Sequence, residues 1–228
     1  MKILISDFDY TFYDNNYEKN ILATQKFVND GNMFIIATGR NHHQIMEELE
    51  NRKVPYFFLI CNDGAIIYNR KNEIIFEKNI DLKLGKEIFD KLNKSKYVSE
   101  TFIDDTISYQ VYDFNKINKI IGKPKNDKKA KQLLEDILKN DSLSGYISEN
   151  WINITSNEAS KGNAVKYILE KYNLQNEDIY AVGDNINDIS MLDMYKPYIM
   201  EEAPLLLKEK YENKVKNIEE LIDILTSK

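Results

Sequence analysis

The sequence predicts an α/β protein with a three-layer core built on a parallel sheet and a smaller α+β unit inserted into it. Short, continuous apolar runs alternate with helical spacing up to residue 80, and this alternation returns after residue 160. Between these two parts the order helix, strand, strand occurs twice. Continuous apolar strands that alternate with helices are typical of a parallel sheet covered on both faces.

The first part of the chain contains three candidate strands, KILIS, MFIIA and YFFLIC. The segments between them, YEKNILATQKFVND and HHQIMEELENR, have helical spacing, and Gly31 is a plausible stop for the first helix. The segments AIIYN and EIIFEK flank turn-forming residues and predict a hairpin.

The middle part predicts helices at LKLGKEIFDKLNK and KAKQLLEDILKN, each followed by two strands: SKYVSETFI and DTISYQVYDF, then SLSGYIS and NWINITS. The last part predicts a strand at DIYAVGD among the helices KGNAVKYILEKYN, INDISMLDMY and NIEELIDILTS. We therefore expect a discontinuous, Rossmann-like core of residues 1–80 and 157–228, and an inserted αββαββ unit of residues 81–156.

Composition favours a cytoplasmic enzyme or binding protein. The net charge of −6 argues against a general nucleic-acid binder, and no apolar run approaches the roughly 20 residues that span a bilayer. The single cysteine, Cys61, permits no internal disulfide, and we expect it in the core. One stretch, residues 115–132, carries seven lysines. We interpret it as a solvated loop leading into a helix; the alternative is a positive rim that attracts an anionic substrate.

Four segments place reactive residue types at strand ends or helix starts, where functional groups collect in a parallel sheet. They are DFDYT (7–11), TGR (38–40), SKG (160–162) and GDNIND (183–188). Each alone has an ordinary interpretation, such as a turn, a helix cap or part of a calcium loop. Their joint occurrence in this order is much more specific.

The segments DFDYT, ATGR, SKGNAV and GDNINDISML resemble the four motifs of the haloacid dehalogenase (HAD) superfamily of phosphohydrolases. CNDGAIIY resembles the hairpin that precedes the cap of the Cof-like branch, and the αββαββ insertion resembles a short C2-type cap, similar to that of archaeal phosphoglycolate phosphatases. The resemblance implies a Mg²⁺-dependent hydrolase of small phosphomonoesters, such as sugar phosphates or phosphoglycolate, that works through an aspartyl-phosphate.

Two carboxylates crowded at a strand end fit a hard divalent cation, which prefers oxygen ligands. We expect Asp7 and Asp184 to be side-chain ligands of Mg²⁺, with the backbone carbonyl of Asp9 as a third ligand. Asp7 would attack phosphorus. Asp9 would be protonated and act as the general acid, and later as the base.

The other motif residues would supply positive charge and hydrogen-bond donors to the phosphate. Lys161 would bridge the nucleophile and the phosphoryl group, and Asp188 would orient a metal-bound water or Lys161. We expect Arg40 to form a structural ion pair in preference to binding phosphate. The residues expected to hold the substrate are Thr11, Thr38, Gly39 and, as the resemblance implies, Asn187.

Several residues depart from the family pattern or have open roles. Tyr10 replaces the usual glycine and would either pack under the cap or narrow the mouth of the site. Asp63 replaces an asparagine, and Glu201 and Glu202 add negative charge that would disfavour multiply phosphorylated substrates. On the open face of the cap strands, aromatic residues would line the substrate pocket; the candidates are Tyr109, Tyr112 and Trp151.

Two alternative functions stay open. One is a phosphotransferase or mutase that works through the same intermediate, and the other is a non-catalytic, phospho-accepting signalling module. For the hydrolase, the expected partner is a small phosphorylated metabolite, with neither nucleic acid nor membrane. A monomer and a homodimer both stay open.

Overall fold

The structure is a computed structural model that describes residues 1–104, 115–148, 150–175 and 177–227. In these ranges the chain forms twelve strands. They are β1 (Lys2–Ser6), β2 (Met33–Ala37), β3 (Phe58–Cys61), β4 (Ile66–Asn69), β5 (Ile74–Glu77), β6 (Val98–Asp104), β7 (Lys119–Pro124), β8 (Leu143–Ser148), β9 (Trp151–Ser156), β10 (Asp178–Gly183), β11 (Lys196–Met200) and β12 (Lys214–Val215).

Eight α-helices lie in the same ranges: α1 (Tyr17–Asn29), α2 (His42–Leu49), α3 (Leu82–Asn93), α4 (Asp127–Ile137), α5 (Lys161–Lys171), α6 (Ile189–Leu192), α7 (Leu205–Lys210) and α8 (Ile218–Thr226). Several begin at a polar side chain that accepts a hydrogen bond from the first turn. Before α5, for example, Ser160 accepts from the Asn163 amide at 3.1 Å. Across the described ranges, every helix is too short or too polar to cross a bilayer.

Eight strands form the larger sheet, in the order β12-β11-β10-β1-β2-β3-β4-β5. Neighbouring strands are parallel from β12 to β3, whereas β4 and β5 pair antiparallel at one edge. The parallel sheet and the hairpin are therefore confirmed. The sequence did not predict β11, β12 or α7.

Side chains alternate between the two faces of this sheet. In β1, Leu4 packs in the cluster that contains α1, α2 and α8, whereas Ile3 and Ile5 pack in the cluster that contains α5, α6 and α7. Cys61 is buried in the first cluster, as predicted. Helices on both faces of the sheet confirm the three-layer core.

The smaller sheet is antiparallel, in the order β6-β7-β9-β8. Helices α3 and α4 cover one of its faces, and apolar side chains such as Ile88, Ile120, Leu134 and Ile152 fill the space between. The described elements run α3, β6, β7, α4, β8, β9, which confirms the predicted αββαββ order.

The sequence did not predict β7 as a strand. Residues 119–124, which we interpreted as part of a solvated loop, form β7. The high lysine content hid an alternation: Ile120 is buried against the helices, whereas Lys119, Ile121 and Lys123 line a cavity on the other face. The strand predicted at residues 105–114 lies outside the described residues.

The predicted boundaries of the two domains stay a prediction. The two sheets are compatible with them, because the larger sheet uses strands before residue 80 and after residue 157, and the smaller one uses residues 98–156. We refer below to these two parts as the core and the cap.

Candidate active site

The three central strands of the larger sheet end at the same edge. Because β10, β1 and β2 are parallel neighbours, the residues that follow them lie side by side. Asp184 follows β10, Asp7 follows β1, and Thr38 follows β2. The start of α5 adds Lys161, so all four predicted motifs meet at this edge.

Two buried ion pairs connect Lys161 to Asp7 and to Asp188. The Lys161 ammonium donates to Asp7 Oδ1 at 2.5 Å and to Asp188 Oδ1 at 2.6 Å. The Lys161 side chain is fully buried. Although burial lowers its pKa, the carboxylates of Asp188 and Asp7 raise the pKa of Lys161 above its usual value. Lys161 therefore remains a cation that holds two carboxylates in place.

Asp188 uses both oxygens to organise the loop after β10. Its Oδ2 atom accepts from the backbone amides of Asp184 and Asn185, each at 3.0 Å. Gly183 permits this close approach, because a Cβ atom there would lie 2.4 Å from Asp188 Oδ2. Both oxygens of Asp188 are thus committed to protein donors, which favours an orienting role over metal ligation.

Asp7, Asp184 and Asp188 form a cluster of carboxylates whose oxygens lie within 4.8 Å of one another. Burial and Asp188 raise the pKa of Asp7 well above its usual value, and burial and Asp188 raise the pKa of Asp184 to about 6. The ionised carboxylates are therefore under-compensated. A divalent cation would correct this imbalance, so the donor set fits the predicted metal.

Thr11 occupies a different place from the one expected of a substrate-binding residue. It is fully buried, and its hydroxyl donates to Asp184 Oδ1 at 3.2 Å. It does not line the cavity. Thr11 therefore orients Asp184 in this structure, and its predicted role in substrate binding stays a prediction.

Asp9 pairs with Arg40. The guanidinium donates through Nε to Asp9 Oδ2 at 3.0 Å and through a terminal nitrogen to Oδ1 at 2.5 Å. It also lies over the rings of Phe8 and Tyr13. Arg40 is thus an ion-pairing residue, as predicted. The guanidinium thus holds the Asp9 carboxyl group through two nitrogens, and the general acid and base role of Asp9 stays a prediction.

Of the residues predicted to bind phosphate, Gly39 lines the cavity, whereas Thr38 is fully buried and its hydroxyl accepts from the Arg40 amide at 3.1 Å. Asn187 also lines the cavity, but its side-chain amide donates to Asp63 Oδ1 at 3.0 Å. In this structure Asn187 is therefore tied to a protein carboxylate.

Sequence reasoning missed a polar cluster around Asp63. Its carboxylate accepts from Lys119 Nζ at 2.6 Å and from the Tyr146 hydroxyl at 2.8 Å, in addition to Asn187. Burial alone would raise the pKa of Asp63, but Lys119 and Lys161 outweigh it and lower this pKa below its usual value. The only sequence signals were Asp63 in place of asparagine and a lysine inside the basic run.

A cavity of about 620 Å³ lies between the strand ends of the core and the open face of the cap sheet. One row of paired positions crosses its roof: Phe102, Ile121, Asn153 and Tyr146. Trp151 also lines the cavity, as proposed for an open-face aromatic. Tyr109 and Tyr112 lie outside the described residues.

Tyr10 lies at the cavity wall with 64% of its surface exposed, so it is not packed in the interior. Its φ angle of 59° is left-handed, which explains why a glycine is suited to this position. Glu201 and Glu202 are exposed and do not line the cavity. No contact of Glu201 or Glu202 with the cavity supports their predicted effect on multiply phosphorylated substrates.

The chain belongs to the haloacid dehalogenase-like hydrolases, whose sequence profile matches residues 4–110 and 94–220. A relative from Buchnera aphidicola subsp. Baizongia pistaciae, whose name proposes it as a phosphatase, is 31% identical over 92% of this chain and 90% of its own length. Phosphatase YwpJ of Bacillus subtilis is 22% identical over 85% of this chain and 86% of its own. The predicted family and the prediction of a hydrolase are confirmed.

Solved structures show the same fold. A haloacid dehalogenase-like hydrolase from B. subtilis superposes with a TM-score of 0.86 at 19% identity and covers 99% of both chains. A sugar phosphatase of HAD subclass IIB superposes with a TM-score of 0.81 at 19% identity, over 100% of this chain and 98% of its own. At these identities the likeness establishes the fold alone.

Proposed function

We propose that this protein is a Mg²⁺-dependent phosphomonoesterase that acts on small phosphorylated metabolites through an aspartyl-phosphate on Asp7. The observation that carries the proposal is the contact of Asp7 with Lys161 beside Asp184, where Asp7 and Asp184 line the cavity. Relatives whose names describe phosphatases support the same reaction class.

Asp7 and Asp184 would hold the cation, together with the backbone carbonyl of Asp9. The pKa values of Asp7 and Asp184 support this assignment, since burial and Asp188 raise both of them despite the positive charge of Lys161. When bound, Mg²⁺ would supply positive charge that reduces the repulsion between Asp7 and a phosphate dianion. Thr11 and Asp188 would keep Asp184 and its loop in position.

In the first half of the reaction, an oxygen of Asp7 attacks phosphorus and the bond to the leaving alcohol breaks. Asp9 must enter this step in its protonated form, and it gives that proton to the departing oxygen and becomes a carboxylate. In the second half, Asp9 takes a proton from water, the water oxygen attacks phosphorus, and the bond to Asp7 breaks. This sequence releases inorganic phosphate and restores both carboxyl groups.

For this role the Asp9 side chain must leave Arg40. Asp9 lines the cavity and its side chain is 35% exposed, so rotation toward a bound substrate is possible without unpacking the core. Arg40 would then stay over Phe8 and Tyr13, and the pairing of Asp9 with Arg40 would be the resting state.

Lys161 would share its charge between Asp7 and the transferring phosphoryl group, and the Gly39 amide would donate to a phosphate oxygen. The Thr38 hydroxyl accepts from the Arg40 amide and the Asn187 amide gives one hydrogen to Asp63, so each has a further donor that is proposed to reach a phosphate oxygen. Sugar phosphates and phosphoglycolate are the proposed substrates, because the cavity has the size of a small-metabolite site. We further propose a cytoplasmic monomer or homodimer that binds neither nucleic acid nor membrane.

A panel of phosphorylated metabolites tests this function. We expect phosphate release with Mg²⁺ and its loss when a chelator is added. Full activity in the presence of excess chelator would contradict the metal assignment, and a lack of release from every phosphomonoester would contradict the reaction class.

A further inference from the structure

A buried ion pair links the cap to the core at the inner end of the cavity. Lys119, the first residue of β7, lies 2.6 Å from Asp63, which follows β3 in the core. The exposed fractions of their side chains are 4% and 7%. Burying two charges is costly unless further hydrogen bonds satisfy them, and here Tyr146 and Asn187 complete the shell of Asp63.

Lys119 also contacts the loop that is proposed to bind phosphate. Its ammonium donates to the Gly39 carbonyl oxygen at 3.0 Å. An ammonium has three N–H donors, and the described residues provide these two acceptors. Lys119 lines the cavity, so a ligand bound there would be within the reach of this side chain and could accept from the third donor.

Contacts beside Lys119 fix the start of β7 relative to the connection from the core. The Ile80 amide donates to the Ile117 carbonyl at 2.8 Å. The side-chain amide of Asn118 donates to Asn79 Oδ1, also at 2.8 Å. The position of the Lys119 ammonium is therefore set by the docked cap and by Asp63 together.

We propose that Lys119 is a cap-borne, substrate-contacting residue that donates to the phosphoryl group when the cap is docked, and that Asp63 is its positioning residue. This inference rests on the proposed function, since the ligand is the phosphate held beside Gly39. The cap then completes the phosphate site in addition to covering the leaving group.

Inorganic phosphate is the probe, titrated in the presence of Mg²⁺ into the full-length protein by calorimetry. For Lys119→Met we expect affinity to fall about ten- to a hundredfold, which is the usual value of one charge-assisted hydrogen bond. The matched control is Lys116→Met. Lys116 also pairs with a core carboxylate, Glu77 at 2.7 Å, but neither residue lines the cavity and the Lys116 side chain is 51% exposed, so its variant should bind phosphate as the wild type does.

Asp63 acts through Lys119, so the losses of phosphate affinity caused by the two substitutions should not add. We expect Asp63→Asn to weaken phosphate binding several-fold, and the double variant to bind no more weakly than Lys119→Met alone. The double variant leaves no buried charge unpaired and should fold even if a single variant does not. If the two losses of phosphate affinity add in the double variant, the positioning role of Asp63 is overturned.

The outcomes separate this inference from the function on which it rests. If the wild type binds no phosphate with Mg²⁺, the proposed function fails and the inference fails with it. If the wild type binds phosphate and Lys119→Met binds it equally well, only the contact from Lys119 is overturned. A selective loss in Lys119→Met, absent from Lys116→Met, supports the inference.

Discussion

Lys161 Nζ lies 2.5 Å from Asp7 Oδ1, although 154 positions separate the two residues in the chain. The contact brings the start of α5 to the end of β1 and places a fixed cation beside the proposed nucleophile. Because Lys161 is fully buried, water cannot take the place of its carboxylate partners. The arrangement makes the site sensitive to loss of a single charge.

Replacing Lys161 with methionine should abolish phosphatase activity and destabilise the fold. It leaves Asp7 and Asp188 buried without a cation, and breaking a buried pair typically costs about 3–5 kcal/mol. Protonation of Asp7 would recover part of the lost free energy of unfolding. Initial rates and urea unfolding check the prediction, with Lys166→Met as control, since Lys166 lies on the same helix with 58% of its side chain exposed. Equal losses in both variants would refute it.

Binding of Mg²⁺ should weaken as the pH falls below about 6, which is the pKa of Asp184 in the metal-free protein. The pKa of Asp184 in the folded, metal-free protein lies above the usual 3.8. Protonation of Asp184 therefore stabilises the metal-free fold at low pH, and this contribution to the free energy of unfolding is lost as the pH rises through about 6. The metal needs the ionised form.

We therefore expect Mg²⁺ to raise the melting temperature more at pH 7.5 than at pH 5, with affinity at least about tenfold weaker at the lower pH. Calorimetric titration at the two pH values gives the affinities, and Asp184→Asn should remove most of the difference. The same affinity at both values would argue against Asp184 as a ligand.

Gly183→Ala should disrupt the loop after β10. The added Cβ atom would lie 2.4 Å from Asp188 Oδ2, so Asp188 would lose its bonds to the Asp184 and Asn185 amides. We expect a loss of roughly 1–3 kcal/mol in stability, the usual cost of overpacking, and activity reduced at least tenfold. Gly122→Ala is the control, because its Cβ atom would meet its neighbours at 3.5 Å or more. A fully active, stable Gly183→Ala protein would contradict the account.

Tyr10→Gly should widen the cavity mouth. The side chain lines the cavity and is largely exposed, and its left-handed backbone suits glycine. We expect kcat/KM for a bulky aryl phosphate to rise several-fold relative to a small alkyl phosphate. Tyr13→Phe, which keeps the ring beneath Arg40, serves as the comparison. An unchanged ratio would show that Tyr10 does not restrict access.

Much of the core could be predicted because its signals are local. Apolar runs mark β1, β2 and β3, and a polar residue such as Ser160 marks a helix start. Asp7, Lys161 and Asp184 could be assigned to one edge of the sheet because parallel strands end together. The partners of each side chain could not be predicted, since they depend on contacts between distant segments: Thr11 holds Asp184, and Arg40 holds Asp9.

The cap was less predictable for two reasons. In β7 the lysines conceal the strand alternation, since Lys119 faces a buried carboxylate that the local sequence does not reveal. Asp63 signalled a departure from the family pattern, but its partners Lys119 and Tyr146 come from two cap strands whose docking on the core is a long-range property.

The central claim, covalent transfer of phosphorus to Asp7, is tested most directly by rapid acid quench during turnover followed by mass spectrometry of the peptides. We expect a phosphoryl group on the peptide that contains Asp7 in the wild type, none in Asp7→Asn, and no turnover by that variant. Turnover by the wild type without phosphorylation of this peptide, together with an Asp7→Asn protein that still hydrolyses substrate at the wild-type rate, would contradict the claim.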